Sequence, residues 1–171
     1  MKKKIILLLI LIFIPSYLFA EATYTIDVSR VLNNSLAGKE AQKILTNKLK
    51  NATKSFEATE KKLLDDEKVI VGKKKILNKD EYEKEVKKLR DRVAKHRQNK
   101  QKTLTDIDKL RFDSRKKLLG ILKPLLQEYM KSNNIKMVVD RKTVVLVENN
   151  LDISQKAIEL LNNKVKTLNI K

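Results

Sequence analysis

Residues 39–70 read KEAQKILTNKLKNATKSFEATEKKLLDDEKVI and carry a seven-residue repeat. An apolar residue recurs along this stretch every seven positions, at Leu49, Phe56, Leu63 and Ile70. A second series lies between these positions at the complementary spacing, at Leu45, Ala52, Thr59 and Asp66. Two such series form the narrow stripe of a coiled-coil helix. Because the stripe is partly polar, one partner helix is enough to cover it.

The partner helix follows directly in the sequence. The heptad pattern stops at residues 71–78, where Gly72 can take a positive φ and end the first helix, and where Asn78 or Asp80 can cap the next. A second frame then includes Tyr82, Val86, Leu89, Val93, His96, Lys100, Thr103 or Leu104, Ile107 and Leu110. A short connection joins antiparallel neighbours, so residues 39–111 are predicted to form a hairpin arm on the order of 50 Å long. With the turn near Lys75, Phe56 should face the region of Lys95 and Leu63 that of Lys87.

The second helix continues beyond the end of the first. Its apolar face widens at Leu118, Leu119, Ile121, Leu122, Leu125, Leu126 and Tyr129. A face this wide needs a core on several sides, so residues 112–130 should belong to a separate body. Pro124 removes the hydrogen bond to the carbonyl of Gly120, which predicts a bend there.

Short strands flank the arm. Tyr24, Ile26 and Val28 alternate with polar residues and predict a strand, while the β-branched runs at 135–140 and 143–148 predict a β-hairpin. Ser154 is a candidate N-cap for a last amphipathic helix, with Ile153 and Ile158 as a hydrophobic staple.

Three short strands are stable only when joined, so both ends of the chain should meet in one body, residues 21–38 and 112–171. The predicted fold class is therefore α+β, mainly α, with a small β body and a long coiled-coil arm. The expected body core comprises Ile26, Val28, Leu118, Leu122, Leu125, Val139, Val144 and Leu146. A body this small favours oligomerisation.

The N-terminus predicts export. Three lysines at positions 2–4 precede the apolar run 5–14, Pro15 ends it, and small residues follow at Ala20 and Ala22. These are the three regions of a secretory signal peptide, cleaved after Ala20 or after Ala22. A transmembrane anchor is disfavoured because the run is shorter than the ~20 residues that a spanning helix needs. The mature protein is therefore expected to be exported.

Catalytic patterns are missing from the sequence. His96 is the only histidine and there is no cysteine, so one chain can form neither a Cys–His pair nor a histidine-containing zinc cluster. His96 falls on the heptad seam, where a semi-polar packing role is expected. The carboxylates alternate with lysines, which is typical of a solvated helix face. We therefore predict a non-enzymatic protein without a cofactor or metal.

Positive charge is concentrated on the arm. Residues 39–130 hold 27 Lys and Arg against 15 Asp and Glu, a net of +12 out of +18 for the whole chain. A merely solvated coiled coil is one interpretation. Nucleic acid is another, disfavoured by the export signal and by the lack of exposed aromatic residues for base stacking. Anionic lipid or lipopolysaccharide is a third, through charge attraction.

The order of these parts resembles the Skp/OmpH family. The resemblance rests on the strand 24–32 (YTIDVSRVL), the long basic helical hairpin, the run 137–146 (MVVDRKTVVL) and the helix start Leu151-Asp152-Ile153-Ser154 ahead of Ile158 and Leu161. It covers essentially all of the mature chain. Arg141-Lys142 stand where the family usually has Gly or Asn, which leaves the turn type of the hairpin open.

This resemblance implies an ATP-independent periplasmic holdase chaperone. Members of the family are homotrimers whose strands join into a central barrel, and their arms surround a cavity that holds unfolded outer-membrane proteins. The basic arm positions proposed in the family to bind lipopolysaccharide correspond loosely to the region of Arg90, Arg92 and Arg97. At the arm tip, we expect clients to contact Val71, Lys73, Lys74, Lys75, Ile76 and Leu77. There are two alternatives. One is a basic envelope protein that binds anionic lipid, lipopolysaccharide or nucleic acid and has no chaperone activity. The other is a structural protein without clients.

Overall fold

A computed structural model describes residues 23–170, and the predicted signal peptide lies outside them. The chain forms strand β1 (Tyr24–Ile26), helix α1 (Val28–Asn34), helix α2 (Leu36–Gly72), helix α3 (Lys79–Ser132), strand β2 (Val138–Asp140) and helix α4 (Ser154–Lys164). Short 3-10 turns occupy Lys73–Lys75, Arg141–Thr143 and Asn149–Leu151. The predicted α+β class, mainly α with a small β part, is confirmed.

The arm is formed by α2 and α3, which pack antiparallel along the predicted seam. Leu63 and Ile70 of α2 and Ile107 of α3 are buried there. The ring of Phe56 meets the ring of His96 edge-on, with 6.1 Å between their centroids. This pairing differs by one residue from the predicted partner Lys95. The heptad spacing therefore predicted both helices and which regions of them face each other, but not the residue-by-residue register.

Side chains fix where the arm helices begin. Asn78 caps α3, as predicted, because its Oδ1 accepts a hydrogen bond of 2.9 Å from the backbone N–H of Glu81. At the other end of the arm, Ser35 caps α2 and its Oγ accepts from the N–H of Gly38. The predicted positive φ of Gly72 is wrong: its φ is −60°, and the helix tightens directly into the 3-10 turn Lys73–Lys75. No left-handed residue is needed because that turn satisfies the last carbonyls of α2.

The core of the body is built from helices that come from both ends of the chain. Its largest fully buried apolar side chains are Val31 and Leu32 of α1, Leu122 of α3 and Leu161 of α4. Of the expected body core, Ile26, Leu118 and Leu122 are buried in this cluster, while Val28 and Leu125 pack against it. Val139 and Val144 are half-buried. Helix α3 is continuous through Pro124, and Gly120, whose carbonyl loses its helical partner there, is exposed.

The strands are arranged differently from the prediction. β1 pairs in parallel with β2, with Tyr24 opposite Val138, and Thr25 also forms a bridge with Asp152. The predicted hairpin is wrong, because residues 143–148 form no strand within the described chain. Strand β1 pairs with β2, and residues 144–147 pair with no strand among residues 23–170. Leu146, expected in the core, is 89% exposed in the single chain.

Two helix starts also differ from the sequence analysis. The strand β1 ends at Ile26 because Asp27 caps α1, its Oδ1 accepting from the N–H of Arg30 at 2.8 Å; Val28 is thus helical. Ser154 is the first residue of α4 and not its cap. Its hydroxyl instead accepts a 2.8 Å hydrogen bond from the N–H of Asp27. This contact ties the end of β1 to the start of α4, which the local sequence pattern could not indicate.

Candidate functional site: the basic arm and the exposed edge of the body

The arm tip brings together charge and exposed apolar surface. Lys73, Lys74 and Lys75 lie on the 3-10 turn, and all three are exposed. Val71 is 58% exposed and Ile76 is 81% exposed beside them, while Leu77 is half-buried. All six residues singled out at the tip therefore lie at one end of the arm. The combination can bind an anionic, partly apolar chain by charge attraction and apolar contact.

Two exposed apolar residues of the arm escaped the sequence analysis. Leu64 and Val69 lie on α2 outside the seam, and both are exposed. Their signal was present in the sequence, because neither falls on a position of the heptad series. An apolar residue outside a coiled-coil stripe has no partner helix to cover it. Leu64 lines the groove of Arg90 and Arg97 described below, and Val69 lies two residues before Val71 of the tip.

The middle of the arm is clamped by Glu60. Its Oε1 accepts a 2.8 Å hydrogen bond from Lys100 Nζ and a 3.2 Å hydrogen bond from His96 Nε2. Because a carboxylate only accepts, Nε2 carries the proton. The hydrogen bonds from Lys100 and His96 hold the pKa of Glu60 below its usual value. The His96 side chain is only 11% exposed, in agreement with the predicted seam role.

The three arginines proposed as lipid contacts lie in two different environments. Arg92 pairs across the arm with Asp66, with 2.7 Å between Nη2 and Oδ2. Arg90 and Arg97 line a groove of about 690 Å³, whose apolar residues include Leu64, Leu89 and Val93. Arg90 and Arg97 therefore lie beside apolar surface, but Glu60 and Glu67 line the same groove and balance their charge.

The opposite face of the arm carries a more polar groove of about 610 Å³. Arg92, Lys95 and Lys102 supply its positive charge, and Asp106 is its one acidic residue. Of the two grooves, only this one carries a net positive charge, because Glu60 and Glu67 line the groove of Arg90 and Arg97. Within residues 23–170, no cluster of His, Cys, Asp and Glu is suited to a metal ion, and no helix is long and apolar enough to cross a membrane. The contacts available on the arm are those of charge and apolar surface.

The body has an exposed apolar edge of its own. Val145 is 96% exposed, and Leu146 and Met137 are exposed near it. The loop that carries Val145 and Leu146 is closed at its base by an ion pair between Arg141 Nη1 and Asp152 Oδ2, 2.8 Å apart. Burial acts to raise the pKa of Asp152, but hydrogen bonds from Ser154 and the charge of Arg141 outweigh it and hold this pKa below its usual value. The two ends of the loop are thus joined by an ion pair.

Comparisons with known proteins agree with this architecture. The model of the family described as "Outer membrane protein (OmpH-like)" matches residues 23–161. The crystal structure of a "putative outer membrane chaperone (OmpH-like)" from Caulobacter crescentus has the same fold, with a TM-score of 0.78 at 18% sequence identity over 88% of this chain and 94% of that chain. No curated protein sequence is significantly similar to this chain. Since the family match extends from β1 into α4, through the whole arm, this chain belongs to the OmpH-like family.

Proposed function

We propose that this protein is an ATP-independent periplasmic holdase that binds unfolded outer-membrane proteins between its basic arms and prevents their aggregation. Membership of the OmpH-like family supports a chaperone role. The observation that carries the proposal is the surface of the arm, where Lys73–Lys75 stand beside the exposed Val71 and Ile76. An unfolded chain offers both kinds of partner, because its charges and its apolar side chains are accessible at once.

The arm is suited to weak, repeated contacts. Its two grooves are open, the one at Arg92, Lys95 and Lys102 is basic, and neither has the enclosed apolar shape of a pocket for one small ligand. Many weak contacts on linked surfaces hold a client strongly in total while each contact still exchanges. Positive charge attracts anionic clients at long range, and release needs no chemical step. These properties fit a holdase for clients of different sequence.

We further propose that residues 21–38 and 112–171 form a body that trimerises and that residues 39–111 form the arm. Support comes from the exposed β-branched segment around Val145 and Leu146, next to the short strand β2. Exposed segments of this composition add readily to a neighbouring strand. Three bodies joined in this way would set three arms around one cavity.

The direct test is dilution of an unfolded outer-membrane β-barrel protein from denaturant. We expect this protein to suppress the turbidity that develops in its absence. A variant in which a tight turn replaces residues 54–97 keeps the body and lacks most of the arm, so it should not suppress aggregation. Equal suppression by both proteins would place the client surface on the body, and no suppression by either would reject the holdase.

Anionic lipid binding is a second candidate, favoured by Arg90 and Arg97, which lie beside apolar side chains in a groove that also contains Glu60 and Glu67. Flotation with vesicles that contain anionic lipid should then carry the protein along, whereas zwitterionic vesicles should not. The double change Arg90→Gln, Arg97→Gln should reduce flotation more than Lys84→Gln, Lys87→Gln, which removes the same charge from exposed positions outside the groove. Equal losses in the two variants would show that only net charge matters.

A further inference from the structure

A cavity of about 310 Å³ lies at the base of the arm, where the end of α1, the start of α2 and α3 meet. The apolar part of its lining consists of buried aliphatic side chains, namely Leu32, Ala41, Leu45 and Leu118. Its volume is at the lower end of the ~300–1,000 Å³ typical of small-molecule sites. Neither the family assignment nor the proposed holdase function accounts for this cavity.

Small residues of α2 leave this space open. Gly38 and Ala41 both line the cavity and carry no side chain, or only a methyl group, to fill it. A larger residue at position 38 is excluded, because a Cβ there would lie 1.7 Å from the carbonyl oxygen of Leu32. The close approach of α1 and α2 beside the cavity therefore requires a glycine at position 38.

The rim of the cavity is positively charged. Arg111 and Arg115 lie one turn apart on α3, and the other polar lining residues are uncharged: Asn33, Gln42, Thr46 and Ser114. Arg111 Nη1 is engaged with Asp108 at 2.7 Å, whereas Arg115 forms no ion pair with any of residues 23–170. The Ser114 hydroxyl already donates to the carbonyl of Leu110. The guanidinium N–H groups of Arg115 can thus donate hydrogen bonds to an anion in the cavity.

We propose that this cavity binds a single-chain fatty acid, with the acyl chain on the aliphatic floor and the carboxylate on Arg115. A guanidinium offers two parallel N–H donors that match a carboxylate. The lining contains no Asp or Glu that would repel the ligand, and no aromatic ring that would favour a planar one. A saturated chain is therefore the apolar partner that the floor fits.

Isothermal titration of the full mature protein with decanoate, below its micelle concentration, tests this site. We expect saturable binding with one site per chain. Arg115→Gln should weaken binding about tenfold, the loss expected for one hydrogen bond to a charged group. Lys116→Gln removes the same charge from an exposed neighbour that does not line the cavity, and it should bind as the unchanged protein does.

Two further comparisons separate this site from general binding of amphiphiles. Thr46→Trp places a large ring at the exposed rim and should abolish decanoate binding while the thermal unfolding curve is retained. Decyl maltoside and decyltrimethylammonium have the same chain with a neutral or cationic head, and both should bind far more weakly than decanoate. Equal binding of decyl maltoside, equal losses in Arg115→Gln and Lys116→Gln, or no binding of decanoate would each overturn the proposal.

Discussion

Gly38 shows how one residue determines the joint between body and arm. It is the third residue of α2, and its N–H donates to the Ser35 Oγ that caps the helix. A Cβ at this position would overlap the carbonyl oxygen of Leu32. Helices otherwise favour alanine over glycine by roughly 1 kcal/mol, so packing has overridden helix propensity here.

Gly38→Ala should therefore destabilise the protein by about 2–4 kcal/mol, because the clash involves backbone that cannot move aside without separating α1 from α2. Denaturant unfolding followed by circular dichroism measures this change. Gly120→Ala is the matched control: a Cβ there meets nothing within 4 Å, so it should stabilise α3 by about 0.5–1 kcal/mol. Equal effects of the two substitutions would mean that α1 and α2 are not packed as described.

The Glu60 clamp predicts an acid-sensitive arm. The pKa of Glu60 in the folded protein lies below the unfolded value of 4.5. Its contribution to stability is therefore fully present above about pH 4.5 and is lost as the pH falls through the lower folded pKa. Glu60→Gln keeps a hydrogen-bond acceptor for Lys100 and His96 but removes the charge.

Thermal unfolding should show Glu60→Gln less stable than the unchanged protein at pH 7, with a gap that closes towards pH 3. Glu57→Gln serves as the control, since Glu57 is exposed on the same helix and forms no ion pair within the described residues. A gap that stays constant with pH would show that the carboxylate charge does not clamp the arm.

Among the helices and strands, the sequence predicted those features that depend on local residue patterns. Heptad spacing indicated α2 and α3 because helical neighbours are three or four residues apart, and Asn78 was one of two candidate caps, with Asp80. The residues of the arm tip were identified because the heptad pattern is interrupted there. The arm and its candidate site were thus largely predictable.

The pairing of the strands could not be predicted from local residue patterns. Residues 143–148 have strong β propensity, but propensity does not supply a partner strand. β2 instead pairs with β1 from the other end of the chain, and no local signal encodes this pairing. The ion pairs Arg92–Asp66 and Lys100–Glu60 were missed for a related reason, since they require the register of two helices. The division of roles among the three arginines followed only from that register.

The arm should be separable from the body. The core cluster includes Ala41 of α2 and Leu118 of α3, and none of its buried residues lies between them in the sequence. Replacing residues 54–97 with a tight turn should therefore leave the body folded and the light-scattering mass at three protomers. By contrast, Leu122→Asp buries a charge in that core and should unfold or dissociate the body. A monomeric arm-deleted product would contradict the proposed division.

For the whole molecule, the distribution of charge determines how clients are captured. Changing Lys73, Lys74 and Lys75 to Glu moves each chain by six charge units at the tip. Because steering acts mainly on association, stopped-flow capture of an acidic unfolded barrel protein should slow severalfold. A few hundred millimolar salt should erase most of this difference, since the Debye length is then below ~8 Å.

Apolar contact at the same tip should instead control release. Ile76→Ser with Leu77→Ser should speed dissociation of the client and respond little to salt, because apolar contacts are not screened. If neither the charge variant nor this variant alters capture or release, clients bind elsewhere, and the grooves around Arg90–Arg97 become the surface to test.

The pairing of β1 with β2 has a consequence for how the chain folds. These strands lie on either side of the arm in the sequence. Tyr24 can therefore pair with Val138 only after the whole arm has been synthesised. Closing so long a loop is slow, whereas a helical hairpin can grow from its turn through neighbouring contacts. Once α2 and α3 have packed against each other, Ala41 lies close to Leu118. The loop that must still close to pair β1 with β2 is then shorter. We expect the arm to act as a folding template for the body, so helical circular dichroism should rise in refolding before the hydrophobic core at Leu122 becomes protected from solvent exchange.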